Sequence, residues 1–211
     1  MAVEIAVDGA RIRAVSLQGV RLEYVTRTMR ALGRTAAGSR VLVWSGQELL
    51  TRGLAGLGLD VADQEGPFDV VYCADTFEVT ADLAGVVERV SAALKPGGVL
   101  IYDTVNSNPL SRLVYLGLFQ GLKSTRIMPP GRYAAERLRK PAELAEVLGR
   151  HGLRNEEVCG FKPKNPLTLL KATRAARRGD LSDAEIARLV AMVLDPDGPP
   201  LVTYFGHARK L

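Results

Sequence analysis

Residues 68–103 read FDVVYCADTFEVTADLAGVVERVSAALKPGGVLIYD, and this stretch decides the fold class. Its opening run, residues 68–73, is apolar, too short for a helix and rich in β-branched and aromatic side chains, which predicts a strand buried on both faces. The next segment predicts an amphipathic helix that ends at residues 95–98, because glycine suits a helix C-cap and proline cannot continue a helix. Residues 99–102 form a second buried strand before Asp103. A strand–helix–strand unit of this kind indicates an α/β protein with a parallel sheet.

Composition is consistent with one α/β domain. The chain has 211 residues, of which 47% are hydrophobic, enough for a single core. Cys73 and Cys159 fall in predicted strands, so we expect buried thiols rather than a disulfide, and no metal site. The chain lacks an apolar run long enough to cross a bilayer and a signal-peptide pattern, which favours a cytoplasmic protein. The net charge of +5 is spread out with little aromatic interleaving, which argues against nucleic-acid binding.

The N-terminus predicts a β-hairpin over residues 1–16. Apolar and polar residues alternate on both sides of Asp8-Gly9, a dipeptide suited to a tight hairpin turn. An isolated hairpin is marginal, so we expect it to pack on the domain or to pair with a second subunit in a homodimer. Residues 19–32 predict an amphipathic helix.

The segment after the first parallel strand is short. Residues 41–44 predict that strand, and Ser45 and Gly46 follow it, where a nucleotide-binding protein would have several glycines. An ordinary strand-to-helix turn is the favoured alternative. Only residues 45–67 separate this strand from the next, whereas each parallel crossover needs about a dozen residues. There is room for one helix and one short strand, so we expect a sheet that is truncated in its first half.

Later motifs resemble those of a known family. Together with residues 68–103, their order is similar to that in the class I S-adenosylmethionine-dependent methyltransferases, and most similar to the ubiquinone-biosynthesis O-methyltransferases. The resemblance covers most of residues 21–209 and implies one domain over residues 1–211. It also implies a Rossmann-like, mostly parallel sheet with an antiparallel last strand. The motifs are TVNSN at 104–108, RIMPPG at 126–131, KPAEL at 140–144 and Gly160 followed by Asn165-Pro166.

The chain departs from this family at the positions that carry function. The family's first motif, an acid followed by a glycine-rich loop, corresponds to VWSGQE at residues 43–48. Glu65 is the candidate for the carboxylate that holds the cofactor ribose, so Ser45, Gly46 and Glu65 are the candidate cofactor ligands. The family's Glu-His pair is Glu78-Val79 here, which leaves no histidine to act as the base.

Two further segments stand out. Residues 104–135 are strongly apolar and predict a substrate-side lid that caps an apolar substrate, lies on a membrane surface, or packs on its own domain or a second subunit. Residues 167–195 predict a helical insertion of two helices, 167–177 and 183–194. The basic first helix is a solvated face or a docking site for an acidic carrier protein with a tethered substrate.

Candidate site residues follow from the strand ends. Asp75 and Asp103 end neighbouring strands, and two acids with separated pKa values can supply one acid and one base. The alternative is that Asp75 caps the next helix and that Asp103 binds amides of its own loop. Tyr133 is the third catalytic candidate. The candidate substrate-binding residues are Glu78, Asn106, Leu113, Phe119, Lys162 and His207.

Three functions remain open at this point. The first is a tailoring enzyme of secondary metabolism that has lost methyl transfer, needs no cofactor, and performs cyclisation, dehydration or isomerisation on an apolar phenol, quinone or polyketide-like molecule. The second is an O-methyltransferase that uses S-adenosylmethionine on a phenol or quinone. The third is a non-catalytic partner of an active enzyme. The missing glycines favour the first over the second.

Overall fold

The computed structural model describes residues 2–62, 66–123, 125–165, 171–172, 175 and 178–211, and only the backbone of residues 2–8 and 10. Its core is a sheet of strand order β2-β1-β3-β4-β7-β5-β6. The first four strands in this order pair in parallel, β7 is antiparallel to both β4 and β5, and β6 is antiparallel to β5. This confirms the expected α/β, Rossmann-like sheet with an antiparallel last strand. The strands are β1 (Arg40–Val43), β2 (Asp60–Val61), β3 (Phe68–Ala74), β4 (Leu94–Val105), β5 (Leu153–Pro163), β6 (Met192–Asp195) and β7 (Thr203–Lys210).

Helices cover both faces of this sheet. Apolar residues of α1 and α2 pack on one face, and those of α3 and α5 pack on the other, so successive residues of β3 and β4 are buried in opposite directions. Such double coverage explains why β3 and β4 are apolar at nearly every position. The helices are α1 (Ala2–Ala31), α2 (Glu48–Gly56), α3 (Leu83–Ala93), α4 (Pro109–Arg112), α5 (Pro141–Arg150) and α6 (Asp183–Leu189).

The predicted N-terminal hairpin is wrong, because residues 2–31 form the single helix α1. Gly9 lies inside this helix against the backbone of Ile127, and a Cβ atom on it would lie 1.5 Å from the Ile127 carbonyl oxygen. The glycine therefore allows a close approach between two segments and does not mark a turn. Ile12 and Val15 are buried together in a small core with α6, and their spacing of three residues places them on one face of a helix but on opposite faces of a strand.

The crossover between β1 and β3 is as short as expected. The described part of this segment contains α2 and the two-residue strand β2, which lies at the edge of the sheet. Leu42 and Trp44 therefore stay half-buried on the face that carries α3 and α5. The truncation therefore leaves β1 only partly covered on the face that carries Leu42 and Trp44.

The C-terminal insertion is only partly helical. A capping box of Ser182 and Glu185 begins α6 as the sequence indicates. The prediction that this helix extends to residue 194 is wrong, because Met192–Asp195 forms the edge strand β6. This strand pairs in antiparallel fashion with the outer edge of β5. Most of the predicted helix 167–177 lies outside the described residues. In the lid, α4 continues as a π-helical turn, Leu113–Phe119.

Candidate functional site

The carboxyl ends of β1, β3 and β4 meet at one edge of the sheet. Strand β2 lies on one side of β1 and β3 on the other, so the chain reverses its strand order between β1 and β3. Open α/β sheets bind ligands at such a switch point. The side chains at this point come from Gln47, Asp75 and Asp103, and from Arg21 in α1, which crosses above them.

Arg21 connects all three strand ends. Its Nε donates to Asp103 Oδ2 at 3.0 Å, and its Nη2 donates to Asp103 Oδ1 at 2.7 Å and to Asp75 Oδ2 at 2.8 Å. Its Nη1 donates to Gln47 Oε1 at 2.7 Å. Only 1% of the Arg21 side chain is exposed. The fork geometry of a guanidinium group fits two carboxylates in this way, so Arg21 neutralises buried charge at the strand ends.

Arg13, two turns earlier in α1, completes the network. It donates from Nε to Asp75 Oδ1 at 3.0 Å and from Nη1 to the hydroxyl of Tyr115 in the lid. Tyr72 donates to Asp103 Oδ2 at 3.1 Å. All four carboxylate oxygens of Asp75 and Asp103 thus accept a hydrogen bond, and two guanidinium groups balance the two acids.

Asp75 and Asp103 differ in their titration. Although burial opposes ionisation, Arg13 and Arg21 hold the pKa of Asp75 well below its usual range. Burial raises the pKa of Asp103 in spite of its contact with Arg21. Asp75 also has a φ of +48°, which is uncommon outside glycine, so its ion pairs hold the backbone in a sparsely populated conformation. The structure brings the two predicted acids together, with Arg21 between them.

Glu78 is a different kind of acid. Its side chain is fully buried, and its Oε2 accepts a hydrogen bond from Thr104 at 2.9 Å. Its Oε1 has no hydrogen-bond partner among the residues that the structure describes. Burial, with a contribution from the negative charge of Asp75, raises the pKa of Glu78 to about 8. A carboxyl group with one free oxygen and a pKa near neutrality is suited to proton transfer.

Tyr133 lies in the lid cluster, the small apolar core formed by Val105, Tyr115, Ile127, Met128, Tyr133 and Leu138. Its hydroxyl group is buried and, like Glu78 Oε1, has no hydrogen-bond partner in the described part of the chain. Burial raises the pKa of Tyr133. The ring packs edge-on against Tyr115 with centroids 4.9 Å apart. Gln120 holds the backbone of Tyr133 through hydrogen bonds of 2.8 and 2.9 Å. The hydroxyl is therefore fixed in position and left available.

A cleft of about 550 Å³ lies beyond β1 and β2. None of the described residues that line it is charged. Gly46 contributes backbone with a φ of +60° and open space where a Cβ atom would stand, and Ser45 beside it is exposed. Glu65, the third candidate cofactor ligand, lies outside the described residues. The lining residues are Leu42, Val43, Trp44, Gly46, Thr51, Val61 and Ala62.

Two of the predicted substrate ligands have structural partners. Asn106 donates from Nδ2 to the carbonyl of Pro200 at 2.5 Å and accepts from its neighbour's amide, so its side chain holds the loop before β7. Lys162 forms an ion pair of 2.9 Å with Asp195 on the neighbouring strand, and 58% of its side chain is exposed. Neither of these contacts involves Glu78.

The remaining candidates lie in two other places. His207 of β7 belongs to a separate cluster, where its Nδ1 lies 3.2 Å from the Tyr24 hydroxyl and 3.4 Å from Glu157, and burial lowers the pKa of its imidazole. In the lid, Leu113 is 59% exposed, whereas Phe119 packs on Tyr115. Within the described ranges, no group of three or more His, Cys, Asp or Glu residues is placed to bind a metal ion.

Sequence reasoning missed Arg13 and Arg21 as site residues. The hairpin interpretation placed Arg13 on a polar strand face, whereas in α1 Arg13, Leu17 and Arg21 follow a spacing of four residues on one helix face. Two arginines on the buried face of a helix are a readable signal for buried acid partners. The acids themselves were among the predicted candidates.

Comparison with known proteins identifies the family. The family described as "Methyltransferase domain" matches residues 22–158. The chain belongs to this methyltransferase family. A ubiquinone biosynthesis O-methyltransferase of Xanthomonas euvesicatoria pv. vesicatoria is 30% identical over 190 residues, which is 73% of this chain and 77% of that protein. That of Thiobacillus denitrificans is 36% identical over 107 residues, which is 51% of this chain and 45% of that protein.

Solved structures support the same fold. The magnesium protoporphyrin IX methyltransferase of Synechocystis PCC 6803, solved with bound S-adenosylhomocysteine (SAH), superposes with a TM-score of 0.55 at 13% identity, over 96% of this chain and 86% of that one. At this identity the likeness between the two chains shows the fold alone. Among the helices that the structure describes, none is long and apolar enough to span a membrane.

Proposed function

We propose that this protein is an S-adenosylmethionine-dependent O-methyltransferase that acts on an apolar phenol- or quinone-like acceptor, with Glu78 as the base. The observation that carries the proposal is the buried Glu78 carboxyl group, with a free Oε1 and a pKa raised to about 8. A phenol must lose its proton as its oxygen is methylated, and a base poised near neutral pH does this best. Glu78 thus fills the role for which the sequence offers no histidine at the family positions.

The cofactor fits this chain in part. The cleft beyond β1 and β2 is large and apolar enough for the nucleoside, with the Gly46 backbone, Trp44 and Thr51 to hold it. Arg21 and Asp75 would face the amino-acid end of the cofactor, but they are already paired with each other. When bound, S-adenosylmethionine (SAM) supplies an electrophilic methyl group.

Glu78 and Tyr133 act on the acceptor oxygen in this proposal. Oε1 of Glu78 takes the hydroxyl proton, and the Tyr133 hydroxyl donates a hydrogen bond that orients the same oxygen. The lid cluster excludes water, which strengthens both contacts. Because Glu78 and Tyr133 are buried, the acceptor reaches them only when the lid opens.

A second candidate is cofactor-independent acid–base chemistry, such as cyclisation, dehydration or isomerisation. It is favoured by the Arg21 network, which fills the switch point between β1 and β3. The opposite pKa shifts of Asp75 and Asp103 would also supply an acid and a base. Because every oxygen of these two acids is already bonded, this candidate ranks second.

The test combines binding with turnover. We expect calorimetric titration to show micromolar binding of SAM and SAH, about −8 kcal/mol. With a panel of phenols and labelled SAM, the Glu78→Gln variant should lose a factor of about 10² to 10⁴ in methyl transfer and keep its affinity for SAH. The matched control is Glu88→Gln, an exposed glutamate of α3.

Two results would count against the proposal. If neither SAM nor SAH binds, methyl transfer is excluded and acid–base chemistry becomes the leading candidate. If Glu78→Gln transfers methyl groups at the wild-type rate, Glu78 is not the base.

A further inference from the structure

The cleft beyond β1 and β2 has an unusual lining for a family whose members bind a charged cofactor. Trp44, the single tryptophan of the chain, contributes an aromatic surface there, and Thr51 contributes a hydroxyl group. The shortened crossover leaves Trp44 half-buried against the core on the face of α3 and α5, so part of its side chain lines the cleft and can contact a ligand. The described part of the lining is uncharged, and its aromatic surface can recognise a flat ring by stacking and by dispersion.

Next to the cleft, the charges are already balanced. Gly46 lines the cleft, and the adjacent Gln47 binds Arg21 at 2.7 Å and Asp75 at 3.3 Å. Arg21 in turn holds both oxygens of Asp103. A ligand that extends from the cleft towards β3 therefore meets a protein cation that is already bound to protein acids.

We infer that this cleft recognises a neutral 5′-thioadenosine nucleoside and gains little from the amino-acid end of the cofactor, because Arg21, the cation beside the cleft, is already paired with Asp75 and Asp103. The inference deepens the proposed function and rests on it for the choice of a thioadenosine as the ligand class. The carboxylate of a bound amino acid would need an unpaired cation. Breaking the buried Arg21–Asp103 pair to free Arg21 for this role is strongly unfavourable.

The inference predicts an unusual order of affinities. We expect 5′-methylthioadenosine, which lacks the amino-acid end, to bind within about threefold of SAH and SAM. Binding should quench the fluorescence of Trp44, since the chain has no other tryptophan. Calorimetry with the same three ligands supplies an independent measurement of each affinity.

Two variants sharpen the test. Trp44→Ala should weaken all three ligands by about tenfold in calorimetry, because base–aromatic stacking is lost. Arg21→Ala leaves an unpaired buried acid and should favour the cationic SAM over 5′-methylthioadenosine by at least about tenfold. If Arg21→Ala does not fold, the affinity ratio of the wild-type protein still decides the question.

The outcomes separate the inference from the proposed function. If SAH binds more than about tenfold tighter than 5′-methylthioadenosine, the inference fails and the methyltransferase proposal stands. If the nucleoside binds as tightly as SAH but no methyl transfer occurs, the inference stands and the proposal fails. If no ligand binds, both fail.

Discussion

Two acid sites lie at the same edge of the sheet, and they differ in whether the protein satisfies them. Asp75 and Asp103 are enclosed by Arg13 and Arg21, with every carboxylate oxygen bonded. Among the residues that the structure describes, Glu78 has no cationic hydrogen-bond partner, and its Oε1 has no hydrogen-bond partner at all. A carboxylate at a strand end is therefore not by itself a functional group. The paired acids hold the site together, and the unpaired acid is available for chemistry.

The largest expected effect comes from removing the shared cation. Arg21→Ala leaves two buried acids with only Arg13 to neutralise them, so we expect a loss of about 3–5 kcal/mol in the free energy of unfolding. Urea denaturation measures this loss. Arg30→Ala, an exposed arginine of the same helix, is the matched control and should cost no more than about 0.5 kcal/mol. Equal losses in the two variants would show that the network does not stabilise the fold.

The next largest effect is on the pH dependence of stability, which has opposite signs for Glu78 and for Asp75. Glu78 titrates near 4.5 when unfolded and near 8 in the fold. Its contribution to stability is therefore complete below pH 4.5 and declines as pH rises to about 8, by about 1.4 kcal/mol per pH unit. Asp75, whose pKa is lowered, contributes stability above its unfolded value of 3.8 that is lost as pH falls.

The Glu78→Gln variant isolates the first of these two terms. Urea denaturation between pH 5 and 8 should show a decline for the wild-type protein that is absent or much smaller in Glu78→Gln. The acid limb that Asp75 controls should be the same in both proteins. A parallel decline in the two proteins would mean that Glu78 is already ionised at pH 5.

The smallest effect on stability is expected at Tyr133. Its hydroxyl has no partner within the described residues, so Tyr133→Phe removes no hydrogen bond and should change the free energy of unfolding by less than about 1 kcal/mol. Methyl transfer should nevertheless fall by about tenfold, since the acceptor oxygen loses a donor. Tyr102→Phe is the control for stability, because its hydroxyl donates to Asn155 at 2.8 Å. A larger loss of stability in Tyr133→Phe than in Tyr102→Phe would show that the Tyr133 hydroxyl is not free.

Much of the fold could be predicted from the sequence, but the partners within the site could not. The unit from β3 to β4 is readable because both strands are buried on two faces, and the truncation follows from the short segment between β1 and β3. The hairpin prediction failed because Gly9 carries the same signal for a turn as for close packing. The Arg21–Asp103 pair joins residues separated by 82 positions, so no local pattern reveals it.

The free oxygen of Glu78 was equally hidden. Whether a buried carboxyl group has one partner or two depends on residues that are distant in the sequence, such as Thr104 on the neighbouring strand β4. The sequence placed Glu78 among the substrate ligands and gave the catalytic role to Asp75 and Asp103. The geometry motivates the reverse assignment, which the pH experiments test.

The measurement that tests the central claim most directly is the pKa of Glu78 itself. Carbon-13 NMR of protein labelled at the glutamate carboxyl groups, with the Glu78 resonance assigned by its absence in Glu78→Gln, follows this group without any substrate or cofactor. We predict a titration midpoint near 8. A midpoint near 4.5, the ordinary value for glutamate, would show that Glu78 is ionised like a paired acid and would contradict its assignment as the base.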